Sequence, residues 1–491
     1  MELLANSGEK LYFGKTAKEW LTATRTFFNS GWCFVLQTVL AFIFVFLQQE
    51  VIGVIVFIGL LSVILIVCDD VIATTLPFLL VCTFSTNCYD SFDTFIGFAV
   101  YAPIPAAALV GHFLVYNRPI REFGISAYGL FVVSCALTLG GVGAFALKEY
   151  ISGAYYVFGL GIGMLVAYIL MKSQFAGRRD YDLKEKFSLC MVCMGCLILA
   201  MFVLSFIRRL AGDQIWGFPD IRWLIGANGR TGYTLGFSAN NIATMLMFAM
   251  PFPLYLAKKH KAWALMTVAF FLSLFYTESR GGMLFGAVEF LACFLYWAWE
   301  NKTTKFCKVV CAGAIVAFVA VFAVAVLKRE TLITFVQTKF LDGESTGSIR
   351  FKMLFQSIEN FLKNPLVGTG LLDDSIAYGE TKKQGTMAWY HMMIPQIVGS
   401  MGLIGIFAYG YQIFGRVKLI FKKVCAWSLV LGISYLGILG MSQVNPGEFC
   451  PVPYGVLTVL LFVFQELRLE EDELPLKWEG GLCKRNQTKA K

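Results

Sequence analysis

Long apolar runs alternate with short polar breaks along most of the chain. The runs occupy 31–48, 51–67, 71–84, 95–116, 125–147, 153–171, 188–207, 241–257, 262–278, 283–299, 309–327, 391–414, 425–443 and 453–467. Most reach the roughly 17 to 25 residues that a helix needs to cross a bilayer. A membrane β-barrel is excluded, because its strands alternate in short segments instead. The pattern predicts an all-α, polytopic transmembrane bundle of about 12 to 14 spans. The short run at 71–84 is a candidate re-entrant segment. The longest polar stretch is 328–390. Within it, Ser345-Thr346-Gly347-Ser348 precedes Ile349, Met353, Leu354, Ile358, Phe361 and Leu362. That spacing predicts an N-capped amphipathic helix. Asn364-Pro365 stops it, and Gly368 and Gly370 provide the exit. Such a helix is expected to rest on the bundle or at the membrane interface.

Charge then sets an orientation. Basic residues cluster at Lys172–Lys186, Lys258–Lys261, Lys302–Lys308, Arg416–Lys423 and after Lys477. With fourteen spans these loops share one side, which the positive-inside rule makes cytoplasmic. The division expected is a cytoplasmic leader at 1–30, helices at 31–207, and helices with Arg-bearing outer loops at 208–327. An extracytoplasmic loop at 328–390, C-terminal helices at 391–467 and a cytoplasmic tail at 468–491 follow. No cleavable signal peptide is read in the polar leader. The segments 208–240, 279–282, 328–390 and 444–452 fall on the outer side.

Only 15% of residues are charged and 57% are hydrophobic, whereas a soluble domain carries about a quarter charged residues. The net charge of +9 sits mostly in the short loops and implies no nucleic-acid partner. Most of the fourteen cysteines lie inside apolar runs, so no disulfide framework is expected. Cys190, Cys193 and Cys196 have the spacing of an iron–sulfur ligand run. Inside an apolar helix they read instead as small hydrophobes.

The outer side gathers the polar residues that need explaining. Arg230 lies in Asn-Gly-Arg-Thr-Gly-Tyr, shortly before Asn240 and Asn241. Arg280 lies in Thr-Glu-Ser-Arg-Gly-Gly between two closely spaced runs, with Glu278 as its expected ion-pair partner. Arg350 is placed in the first turn of the helix after Ser345, and His391 follows Trp389 and Tyr390 where the chain re-enters the membrane. A guanidinium at a membrane edge is costly unless it snorkels or pairs, and its planar fork suits phosphate oxygens. A helix N-terminus adds to that preference for an anion. Together the arginines suit a lipid-linked phosphate or diphosphate. An imidazole with an ordinary pKa near 6.5 can take a proton from a hydroxyl at neutral pH. Arg208, Arg209, Arg222 and Arg329 read as snorkelling, and His112 and His260 as structural. Asp373, Asp374 and Glu380 read as solvated loop charges.

The order of these segments resembles the O-antigen ligase and O-antigen polymerase superfamily. The resemblance runs from about 230 to 410. It rests on Arg230 to Asn241, on Ser279-Arg280-Gly281, on the Arg350 helix ending in Asn364-Pro365-Leu366-Val367-Gly368-Thr369-Gly370, and on His391 followed by Gly402-Leu403-Ile404-Gly405. In the family the His is commonly followed by Asn, where Met392 stands here.

The resemblance implies a metal-independent, cofactor-free glycosyltransferase in the cytoplasmic membrane of a bacterium. Its donor would be a glycan on undecaprenyl diphosphate at the outer face, and its acceptor a hydroxyl on a glycan or lipid. Partners would be membrane lipids and other polysaccharide-assembly proteins. Arg230, Arg280 and Arg350 would bind the diphosphate, with Asn240, Asn241 and Tyr390 lining the substrate site. His391, assisted by Arg280 and Arg350, would carry an inverting transfer. Ligase and polymerase are not distinguished. A transporter or flippase of lipid-linked oligosaccharides is the alternative, but it would carry internal repeats and charges near span centres. A peptidoglycan polymerase of the shape, elongation, division and sporulation family shares the donor, but its carboxylate motif is not found.

Overall fold

A computed structural model describes residues 17–47, 49–69, 71–88, 101, 103–116, 120, 123–145, 157–175, 183–210, 239–277, 279–330, 346–370, 390, 392–422, 424–445, 447–449, 454–468, 477–479 and 482–484. For some helical residues, Arg350 among them, only the backbone is described.

Helices form at each apolar run. They are α1 (Ala17–Phe28), α2 (Gly31–Phe46), α3 (Glu50–Val67), α4 (Thr75–Cys88), α5 (Pro103–Tyr116), α6 (Ile125–Phe145), α7 (Gly163–Phe175), α8 (Leu183–Leu210), α9 (Ala239–Ala249) and α10 (Phe252–Leu256). They continue as α11 (Ala264–Tyr276), α12 (Arg280–Glu300), α13 (Lys305–Leu327), α14 (Thr346–Lys363), α15 (Met393–Lys422), α16 (Ala426–Met441) and α17 (Val456–Arg468). One antiparallel ladder, β1 (Lys477–Glu479) with β2 (Leu482–Lys484), pairs Trp478 with Cys483.

Local chemistry sets several boundaries. Ser30 caps α2 by accepting from the Cys33 amide at 3.2 Å. Pro251 divides the run 241–257 into α9 and α10. Thr267 satisfies the Met250 carbonyl beside that break by donating to it at 3.0 Å. Thr304 caps α13 through the Cys307 amide.

Length and composition qualify Leu183–Leu204, Arg280–Glu300 and Met393–Lys422 to cross a membrane, and α1 with α2, bent by 63°, makes a fourth if taken as one span. Among the described residues eight other apolar helices are shorter. Large apolar side chains face outward, among them Leu284, Leu291 and Leu295 on α12 and Phe306, Val309, Ile315, Val316 and Val319 on α13. Such a surface is a liability in water and is at home among lipid tails. This is a membrane protein.

The chain forms two compact units, Met1–Arg121 with Ile169–Gly286, and Glu122–Tyr168 with Ala287–Lys491. In the first, Arg25 donates to the Val67 carbonyl at 2.8 Å and to the Tyr116 hydroxyl at 3.0 Å. Lys186 reaches Asn29, and Lys259 pairs with Glu185. These contacts gather the ends of α1, α3, α5, α8 and α10 at one end of the unit. His112 is structural: its ring nitrogens lie 2.7 Å from the Leu65 carbonyl and 2.7 Å from Gln174 Oε1. Cys190 and Cys193 are buried on α8. Among the described residues no group of three His, Cys, Asp or Glu side chains is arranged to hold a metal.

In the second unit α6 lies along α15, and a Cβ at Gly129 would stand only 3.2 Å from Gln412. Glu466 of α17 caps α6, accepting from the Ser126 amide at 2.9 Å and from the Tyr168 hydroxyl at 2.6 Å. A carboxylate suits that helix N-terminus.

Candidate active site

In the first unit the Ser279-Arg280-Gly281-Gly282 turn is built onto the start of α9. Ser279 caps α12, its hydroxyl accepting from the Gly282 amide at 3.0 Å. The same hydroxyl donates to Asn240 Oδ1 at 2.7 Å. Gly282 is required by the close approach of the two helices, since a Cβ there would meet Ala243 Cβ at 2.5 Å. Asn240, expected to line the substrate site, is thus engaged in holding the turn through its side-chain oxygen. The turn presents Arg280 as the exposed first residue of α12. A cation is disfavoured at a helix N-terminus, so an anion bound there would relieve both the helix dipole and the guanidinium. Asn241 lies in the first turn of α9 and is half-buried.

In the second unit two sequence segments lock together. Helix α15 is broken at Gly402, with φ 59° and ψ −149°. The break forfeits the intrahelical bonds from the amides of Leu403 and Ile404 to the carbonyls of Gly399 and Ser400. The 365–370 segment replaces all four partners. Leu403 donates to the Pro365 carbonyl at 2.8 Å and Ile404 to the Leu366 carbonyl at 3.1 Å. Thr369 donates to the Gly399 carbonyl at 3.0 Å and Gly370 to the Ser400 carbonyl at 2.9 Å. Gly368 must be glycine, because its φ is +67° and a Cβ would collide with the Ser400 and Met401 backbone. The Asn-Pro-Leu-Val-Gly-Thr-Gly segment is therefore a docking strip for a broken helix as well as a helix exit.

Helix α14 leads into that strip. The structure starts it at Thr346, so Arg350 falls in the second turn rather than the first. Its buried row is Met353, Ser357 and Asn360, whereas Ile358 and Leu362 of the expected apolar stripe are exposed. Ser357 donates to the Leu354 carbonyl of its own helix, and Asn360 faces the unit because Tyr390, just ahead of α15, offers it a partner. Asn360 Nδ2 donates to the Tyr390 hydroxyl at 2.7 Å, and the Tyr390 amide donates to Gln396 Oε1 at 3.1 Å. Burial pushes the Tyr390 phenol up to about 12, against the opposing pull of the Asn360 hydrogen bond. Tyr390 is therefore neutral at physiological pH and is no base.

Three buried ionisable side chains were not legible as such. Arg416 reads in sequence as part of a cytoplasmic basic loop, and 444–452 as an outer loop. Instead Arg416 is buried, donates to the Tyr435 hydroxyl at 3.0 Å and pairs with Glu448. Its guanidinium also lies 5.0 Å from the Phe462 ring centre. Gly447, with φ +50°, turns the chain inward so that Glu448 reaches the pair. The isolated acid in Asn445-Pro446-Gly447-Glu448-Phe449 was the available signal. Glu289 on α12 is fully buried against Gly437 of α16, and neither carboxylate oxygen has a hydrogen-bond partner among the described residues.

Arg230 and His391 lie outside the described residues, as do Glu278, Asp373, Asp374, Glu380 and Trp389. Arg350 is placed by its backbone alone. No curated protein matches the chain. Residues 265–410 match the family model described as O-antigen ligase. That stretch contains the Arg280 turn, α14 and the docking strip on α15, and over it the chain is similar to the O-antigen ligase family.

Proposed function

We propose that the protein is a membrane glycosyltransferase of the ligase or polymerase type. It moves a glycan from undecaprenyl diphosphate to an acceptor hydroxyl at the outer face of a bacterial cytoplasmic membrane. The observation that carries this reading is the O-antigen ligase match over 265–410. It embraces Ser279-Arg280-Gly281 and the interlocked 365–370 and 399–404 segments.

In this reading His391 takes the acceptor proton as the acceptor oxygen attacks the anomeric carbon. The bond from that carbon to the diphosphate oxygen breaks, and its electron pair leaves with the diphosphate. Attack from the opposite face inverts the anomeric centre. Arg230, Arg280 and Arg350 offset the growing negative charge, where fixed guanidinium groups stabilise the transition state more than the ground state. Asn241 contributes to the substrate site, and Asn240 supports it by holding the Arg280 turn.

His391→Ala tests the assignment. The variant is expected to insert into membranes at wild-type level and to lose transfer, measured as new glycosidic bonds formed from the source cell's own lipid-linked glycan. Wild-type transfer by this variant would reject the role. Arg280→Lys separates charge from geometry. It keeps a cation but loses the bidentate fork, and lower turnover is expected.

A further inference from the structure

Tyr390 is held from two sides immediately before His391. Asn360 on α14 donates to its hydroxyl at 2.7 Å, and its own amide donates to Gln396 on α15 at 3.1 Å. Gln396 donates onward to Ser400 Oγ at 2.8 Å, and the Ser400 carbonyl is one of those accepting from the docking strip. Asn360, Gln396, Ser400 and Tyr390 are between 1% and 3% exposed. Polar side chains buried so deeply are costly unless bonded. A mutually satisfied set of this kind specifies one arrangement. Gly399 completes the fit, since a Cβ there would stand 2.8 Å from the Tyr390 hydroxyl and 3.1 Å from Ser357. On α14, positions 350, 353, 357 and 360 succeed one another at helical spacing, and the last three are buried. Position 350 thus continues the row that carries the clamp.

We propose that Asn360, Tyr390 and Gln396 are positioning residues, which fix the backbone entering His391 against the helix that bears Arg350. The proposal rests on the reading of His391 as the group that activates the acceptor. A misplacement of about 1 Å at a reacting group costs on the order of 100-fold in rate, so a clamp one residue away governs turnover without touching substrate.

The test uses full-length protein in lipid nanodiscs, treated with diethyl pyrocarbonate across a pH series. Modification of each histidine is followed by peptide mass spectrometry. The chain has three histidines. His112 is buried and reports the integrity of the fold, His260 is exposed and reports the reagent, and His391 reports the clamp. Asn360→Leu removes the donor, and Tyr390→Phe removes the acceptor oxygen. Both variants are expected to shift the rate and pH midpoint of His391, with His260 unchanged and His112 still protected. The double variant should shift no further than the larger single, because both changes delete one bond. Turnover of the source cell's lipid-linked glycan should fall about 10- to 100-fold with KM unchanged.

His391 labelling identical to wild type, with His112 protected, overturns the proposal. If Asn360→Leu exposes His112, Tyr390→Phe, which loses a single oxygen, carries the decision. Full activity in His391→Ala would defeat the catalytic reading instead, and the labelling comparison separates that failure from a failure of the clamp.

Discussion

An alanine at position 402 would put a methyl group 2.5 Å from the Pro365 carbonyl oxygen and 2.7 Å from the Gly368 amide nitrogen. It would also hold a substituted residue at φ 59°, ψ −149°. That conformation alone costs about 1 to 3 kcal/mol for a residue with a Cβ. Relieving the clash means moving the docking strip, which supplies the acceptors for the Leu403 and Ile404 amides. Each buried amide left unpaired adds about 1 to 3 kcal/mol. Gly402→Ala is therefore expected to destabilise the protein by about 3 kcal/mol or more. Gly410→Ala is the internal control. It sits on the same helix with no atom within 4 Å of its would-be Cβ, and helix propensity favours alanine there by about 0.5 to 1 kcal/mol. Thermal unfolding of the two full-length variants in nanodiscs, followed by tryptophan fluorescence, makes the comparison. Gly402→Ala melting with or above Gly410→Ala would refute the interlock.

Arg416→Leu strips one partner from a buried ion pair and should cost about 3 to 5 kcal/mol, read as a lower unfolding midpoint. A midpoint equal to wild type would show that Glu448 finds no use for its partner. Ser279→Ala removes both a helix cap and the bond to Asn240; the cap alone is worth about 0.5 to 2 kcal/mol. The variant is expected to lose turnover beyond its loss of folded protein, since the Arg280 turn loosens. Glu289→Leu removes a buried carboxyl without a described partner and is expected to raise stability by about 1 to 3 kcal/mol. A lowered midpoint would show that the carboxyl is bonded in the membrane.

Apolar periodicity was enough to locate the helices, because in a membrane each backbone polar group must be satisfied within its own segment. The Ser345-Thr346 start and Asn364-Pro365 stop likewise framed α14, observed at Thr346–Lys363. Other features depend on long-range partners that no local window contains. Arg416 has the same sequence surroundings as a topology-setting arginine, and only the inward turn at Gly447 brings Glu448 to it. The break at Gly402 carries no proline. Its signature is a positive φ that becomes tolerable when a distant strip repairs the ladder. Asn360 carries no apolar signal, yet it is buried, because its amide donates to the Tyr390 hydroxyl. Asn240 looked like a ligand, yet its oxygen serves Ser279.

A glycosyltransferase makes glycosidic bonds, whereas a flippase only moves the lipid-linked glycan. The most direct measurement reconstitutes the full chain in liposomes with the source cell's lipid-linked glycan and follows both products and sidedness. New glycosidic bonds with release of undecaprenyl diphosphate are expected, both lost in His391→Ala. Passage of the lipid-linked glycan across the bilayer with no new bond formed would contradict the glycosyltransferase reading.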